Sequence, residues 1–156
     1  METTGYAVVC VGDAVPTILD AGVFTTQRRS PLPQRLLQLG GDFAEVLCQW
    51  RPVLVGVEQL YAHYKHPRTA IQMAHARGVL LAAAARHGAE VHSFNATRVK
   101  KHLTGNGRAS KSQMQRAVQH VFDLPVIPEP ADVADALAVV LCCAAEYSAG
   151  QLEAAR

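Results

Sequence analysis

The hydrophobic positions of this chain switch between a period of about two and a helical period, and the switches divide it into elements. Gly5-Tyr6-Ala7-Val8-Val9-Cys10-Val11 is dense in β-formers and runs into the turn signal Gly12-Asp13. Thr17 to Thr26, with Ile18, Leu19, Val23 and Phe24 around Asp20-Ala21-Gly22, supplies an antiparallel partner, and a hairpin bulged near Gly22 is expected. From Pro33 to Trp50 the apolar residues Leu36, Leu37, Leu39, Phe43, Val46, Leu47 and Trp50 follow helical spacing, with Gly40-Gly41 as a weak point and Pro52 as a stop. Val53-Leu54-Val55-Gly56-Val57 is a continuous apolar run, the pattern of a strand buried on both faces, and Glu58 follows it directly.

The second half is helix-rich. Pro67 opens an Ala-rich helix, roughly Thr69 to His87, stopped by Gly88. Glu90 to Phe94 alternates as a short strand, and Asn95 caps a short helix through Leu103. Gly105 to Ala109 is expected to be a mobile loop, and Ser110-Lys111-Ser112-Gln113 is a capping box that starts a helix towards Phe122. Pro128 and Pro130 lead into a final helix carrying Asp132 and Asp135 one turn apart on one face. The order predicts an α/β fold, a mixed sheet flanked by helices with an antiparallel pair beside parallel strands.

Composition narrows the picture. With 156 residues, 49% hydrophobic and 18% charged, residues 1–156 form one domain. A net charge of +2 is too small to identify a nucleic-acid partner, so the placement of the charges decides. Cys10, Cys48, Cys142 and Cys143 form no Cys-x-x-Cys pair and lie in apolar segments; they read as small core residues in a reducing compartment. No basic leader and no apolar run of bilayer length is present, which gives a cytoplasmic expectation and no membrane partner.

Two groups of residues can carry chemistry. Asp132 and Asp135 suit the macrodipole of a helix start, a purely structural role. With Glu58 at a strand end, where α/β sheets gather ligands, they become three converging carboxylates suited to a hard divalent cation. The Tyr61 to Arg68 loop mixes Tyr61 and Tyr64 with Lys65, His63, His66 and Arg68, and either stacks unpaired bases or packs back on the domain. Arg98, Lys100, Lys101, Arg108, Lys111 and Arg116 surround the Gly105–Gly107 loop. That loop lacks the glycine before Lys111 that a Walker loop requires, so a nucleic-acid backbone fits better than a nucleotide.

Together the blocks Thr4-Gly5-Tyr6-Ala7-Val8, Val57-Glu58-Gln59-Leu60-Tyr61, Gln72-Met73-Ala74-His75-Ala76-Arg77-Gly78, Val99-Lys100, Thr104 to Gln113 and Ala131 to Ala138 resemble, in order, the RuvC-type crossover junction endodeoxyribonucleases. The resemblance implies a ribonuclease-H-like fold and a homodimer that resolves four-way (Holliday) junctions by paired, metal-dependent hydrolysis in recombination and repair. It implies two Mg²⁺ per site, Mn²⁺ as a substitute, and a branch-migration helicase as a further partner. Glu58, Asp132 and Asp135 match three of the family's four acidic ligands, and Lys111 joins them as a catalytic residue. Tyr61 matches an aromatic position implicated in stacking at the junction, and Lys100 and Lys111 match basic residues near the scissile phosphate; Tyr64, Lys65, Arg68, Arg77, Lys101 and Arg108 are expected to bind DNA beside them.

One departure stands out. Family members begin with a central strand ending in Asp-Pro-Gly, whose Asp is the first ligand, whereas Met1-Glu2-Thr3 precedes Thr4 here. The 156-residue form is therefore expected to lack that strand and to cleave junctions little or not at all with Mg²⁺. One reading is that the strand is encoded upstream of Met1 and the complete protein is an active resolvase; the alternative is a catalytically silent module that binds junction DNA.

Overall fold

The structure, a computed structural model, describes residues 2–12, 16–60 and 67–154. Strands β1 (Thr3–Cys10) and β2 (Thr17–Thr25) form an antiparallel ladder, and β3 (Leu54–Glu58) pairs in parallel with β4 (Glu90–Phe94). The helices are α1 (Leu32–Trp50), α2 (Pro67–Arg86), α3 (Ala96–Thr104), α4 (Lys111–Val121) and α5 (Ala131–Ala154). Among the described residues no helix is long and apolar enough to cross a membrane.

The ββαβαβ order and the helix starts follow the sequence pattern. Asn95 caps α3 by accepting the Arg98 amide, and Ser110 and Gln113 make both halves of the capping box on α4. Four expectations give way. The bulge lies at Leu19, between the pairs Val8–Asp20 and Val9–Ile18, while Gly22 pairs regularly with Tyr6. A side chain at Gly22 would press on the Tyr6 ring, so this glycine makes room for an aromatic. Helix α1 passes Gly40-Gly41 unbroken because Gly40 is where α1 meets Val79 of α2, with a Cβ there only 2.9 Å from Val79 Cγ1.

The turn after α3 is structured. The Ala109 amide donates to Asn106 O at 3.0 Å, the Arg108 amide donates to Asn106 Oδ1 at 3.0 Å, and Ala109 is buried in the core. Of the cysteines only Cys142 and Cys143 are buried; Cys10 and Cys48 are exposed, each at the solvent side of its element.

Packing produces three layers. On one side, α5 lies over the strands with α3 and α4, burying Phe94, Val99, Met114, Val118, Val133, Leu137 and Ala138 with the two buried cysteines. On the other, α1 and α2 bury Leu39 and Ala76 against Phe24 and Tyr6. Tyr6 and Phe24 stack with centroids 4.4 Å apart.

The expected mixed sheet is present as two halves. β1–β2 and β3–β4 are separate ladders, and between them runs a cavity of about 330 Å³ lined by every residue from Thr3 to Val9 and from Leu54 to Glu58. Successive side chains of a strand point to opposite faces, so a cavity touching all of them runs along strand edges. The helical layers close it above and below through Phe43, Leu80, Ala136 and Val140.

Two glycines let α5 approach both halves. A Cβ at Gly5 would collide with the backbone carbonyl of Asp132, and one at Gly56 would collide with Cys143 Sγ and sit 3.0 Å from Val139 Cγ1. Gly56→Ala is therefore expected to lower stability by about 1–3 kcal/mol through overpacking. Adding Cys143→Ala should recover part of the loss, as measured by denaturant unfolding; no recovery would mean that the α5–β3 contact is not the cause.

Candidate active site

The acidic residues meet where β3 ends and α5 begins. Glu58 is the last residue of β3, and Asp132 and Asp135 occupy the first two turns of α5. Parallel pairing with β4 places Glu58 opposite Phe94, and the Gln59 amide continues the ladder to Phe94 O at 2.8 Å. Asp132 is carried against β1, where its Oδ2 accepts from Thr3 Oγ1 at 3.2 Å. The one-turn spacing read from the sequence thus spans the two half-sheets, with Asp132 on the β1 side and Asp135 facing Glu58.

The electrostatics are those of crowded negative charge. Glu58 keeps an open side to solvent, yet burial of the remainder raises its pKa, repulsion from Asp135 raises it further, and Lys100 opposes both. Burial also raises the pKa of Asp135; Lys111 lowers it, Asp132 raises it, and Lys100 lowers it. Lys111 Nζ stands 3.9 Å from Asp135 Oδ2, with both side chains more than half or about half exposed, so the pair is a screened contact and not a tight bridge. Glu58, Asp135, Lys100 and Lys111 line one small cleft, floored by Val99, Met114, Ala138 and Val139.

Carboxylate oxygens are hard donors, and Glu58 and Asp135, brought into one cleft, suit a hard cation. Among the described residues, no group of three or more His, Cys, Asp or Glu side chains is placed to hold a metal ion; Glu58 and Asp135 share the cleft, and Asp132 is not part of its lining. Two carboxylates leave most of a hard cation's coordination to water.

The basic residues separate into two groups. Lys100 on α3 and Lys111 at the start of α4 reach the acids, while Lys101, next to Lys100 on α3, and Arg108, in the α3–α4 turn, are exposed. Arg68 is exposed in the first turn of α2. Arg77 is turned inward: its Nε–H donates to Glu58 O at 3.1 Å and its Nη2 donates to Ser93 Oγ at 2.6 Å. Tyr61, Tyr64 and Lys65, with His63 and His66, lie outside the described residues.

Thr3 and Ser93 were not singled out by sequence reasoning. Ser93 stands opposite Val57 in the parallel register, at the carboxyl end of β4, and the rule that α/β sheets gather ligands at those ends was the signal that could have found it. Thr3 has no such signal, because its contact with Asp132 spans 129 positions.

Comparison with known proteins identifies the family and the fold. Residues 1–143 match the family model described as crossover junction endodeoxyribonuclease RuvC. A crossover junction endodeoxyribonuclease RuvC of Rhodopirellula baltica is 48% identical over 142 residues, 91% of this chain and 80% of that protein. The RuvC of Chloroflexus aurantiacus is 38% identical over 151 residues, 97% of this chain and 90% of that one. Among solved structures, Thermus thermophilus RuvC superimposes with a TM-score of 0.78 at 30% identity, covering 88% of this chain and 84% of that one. The same protein in complex with a Holliday junction substrate gives 0.79 at 28% identity, with the same coverage. The fold is accordingly ribonuclease-H-like, and the chain belongs to the RuvC family of crossover junction endodeoxyribonucleases.

Proposed function

We propose that this chain, with residues 1–156 as one nuclease domain, is a metal-dependent endodeoxyribonuclease acting on four-way DNA junctions in the cytoplasm. The observation that carries the reading is the meeting of Glu58 and Asp135 in one cleft with Lys100 and Lys111, beside the exposed Lys101 and Arg108. Acids that hold a cation sit next to bases that hold a phosphate, which is what phosphodiester hydrolysis requires. Two strands cut with like polarity call for two such sites, and a homodimer supplies them. The branch-migration helicase is the partner that would deliver the junction.

Glu58, Asp132 and Asp135 would hold two Mg²⁺, or Mn²⁺ in substitution, which supply an activated water and stabilise the leaving oxygen. Lys111 sets its ammonium beside the Asp135 carboxylate, placed to offset charge that builds on the phosphate. Lys100 lowers the charge cost of both Glu58 and Asp135 before a cation arrives. Lys101, Arg108 and Arg68 neutralise backbone phosphates outside the cleft, and Tyr61, Tyr64 and Lys65 would extend that surface with stacking and charge.

A second reading, junction binding without cleavage, is favoured by one observation. The three acids form no closed ligand set, and the edge of β1 beside Asp132 borders the cavity. A labelled synthetic four-way junction separates the readings. Paired nicks by the 156-residue chain in Mg²⁺ support the resolvase. Junction-selective retardation without nicks supports the binding module, and failure to prefer a junction over duplex DNA sinks both. Lys111→Ala is expected to reduce cleavage by about 100-fold or more, with junction affinity reduced far less.

The crowded charge has a signature without DNA. Glu58 and Asp135 have folded-state pKa values above their ordinary ones, so the folded protein holds protons that the unfolded chain releases. Their contribution to stability therefore falls as pH rises through the interval between the ordinary and the raised values, and returns on acidification. Asp135→Asn is expected to raise the melting temperature of the cation-free protein at pH 7, and to remove much of the stabilisation that Mg²⁺ gives the wild type. A lower melting temperature for the variant would instead make Asp135 a stabilising partner of Lys111.

A further inference from the structure

We propose that Arg77 is a positioning residue for the cation site: it fixes the main chain at Glu58 and so sets where that carboxylate stands. The role rests on the metal-centre reading given above and adds a residue that touches neither cation nor DNA.

Three observations carry it. The half-buried side chain of Arg77 leaves α2 beside Ala76, which is packed in the core, so its origin is fixed. Its guanidinium then bridges the ends of two strands, donating Nε–H to Glu58 O at 3.1 Å and Nη2 to Ser93 Oγ at 2.6 Å. Glu58 and Ser93 are on neighbouring parallel strands at the point where the ladder ends, with the Gln59–Phe94 bond as its last rung.

The need for such an anchor comes from the end of the ladder. Among the described residues the Gln59–Phe94 bond is the last rung between β3 and β4, and Glu58 stands at that end. A strand terminus is free to fray, and in the reading above the residue at this one is a cation ligand. A planar fork holding two acceptors at once restrains that end, which a lysine ammonium in the same place does not reproduce.

The test compares the full chain with Arg77→Lys, Ser93→Ala and Ser93→Thr. Mn²⁺ affinity is measured by titration calorimetry, and affinity for a synthetic junction in EDTA is measured separately. Arg77→Lys keeps the charge and is expected to weaken Mn²⁺ binding by about tenfold, within the range for residues that orient ligands. Ser93→Ala should give a smaller loss, and Ser93→Thr, which keeps Oγ, should restore wild-type affinity. Junction binding in EDTA by the two Ser93 variants should be unchanged, and circular dichroism should show folded protein throughout.

Lost junction affinity in EDTA with normal Mn²⁺ binding would overturn the role and make Arg77 a DNA contact. Equal Mn²⁺ binding by wild type and variants would overturn it with the metal centre intact. No Mn²⁺ binding by the wild type would sink the metal-centre reading and this role with it. Should Arg77→Lys fail to fold, the Ser93 pair decides by the same criterion.

Discussion

The seat of α5 on the strands is the contact on which the remaining structure depends. Its first turn lies against Gly5 of β1 and its third and fourth turns lie against Gly56 of β3, each approach closer than any side chain at those glycines would allow. This contact buries Leu137, Ala138, Cys142 and Cys143. It also bridges two half-sheets that share no ladder, and it carries Asp132 to one and Asp135 to the other. Fold and site are therefore one problem: whatever moves α5 outward also parts Asp135 from Glu58.

The electrostatics follow from that seating. Carboxylates placed by close backbone packing cannot move apart to relieve their repulsion, and the fold answers with Lys100 from α3 and Lys111 from α4. The capping box at Ser110 fixes where α4 starts, and so places Lys111 one residue later beside Asp135. Burial is the largest cause that keeps both carboxyl groups above their ordinary pKa; at Asp135 both lysines oppose it and only Asp132 adds to it. Half-buried carboxylates between two ammonium groups suit a cation that brings a phosphate with it.

Much of this was legible in the chain because it depends on local spacing. The one-turn interval between Asp132 and Asp135, the Ser110–Gln113 box, and Glu58 at the end of an apolar strand are short-range patterns, and the elements formed as read. Features that depend on distant partners were not legible. Gly40 reads as a helix breaker until Val79 is seen across from it, and Gly22 reads as a bulge until the Tyr6 ring is placed on it. Arg77 reads as a surface base within a block of basic and small residues; only the register of β3 and β4 shows two acceptors within its reach. Cys10 and Cys48 lie in apolar stretches but on solvent-facing sides, which strand pairing and helix packing decide and composition does not.

The central claim is that Glu58, Asp132 and Asp135 together form the cation site of a junction nuclease. Diffraction from crystals grown with Mn²⁺, recorded where manganese scatters anomalously, addresses it directly. The account predicts an anomalous peak within coordination distance of both Glu58 and Asp135, with Asp132 at its edge and Lys111 alongside. Peaks only elsewhere on the surface, with the Glu58–Asp135 cleft holding water alone, would contradict it.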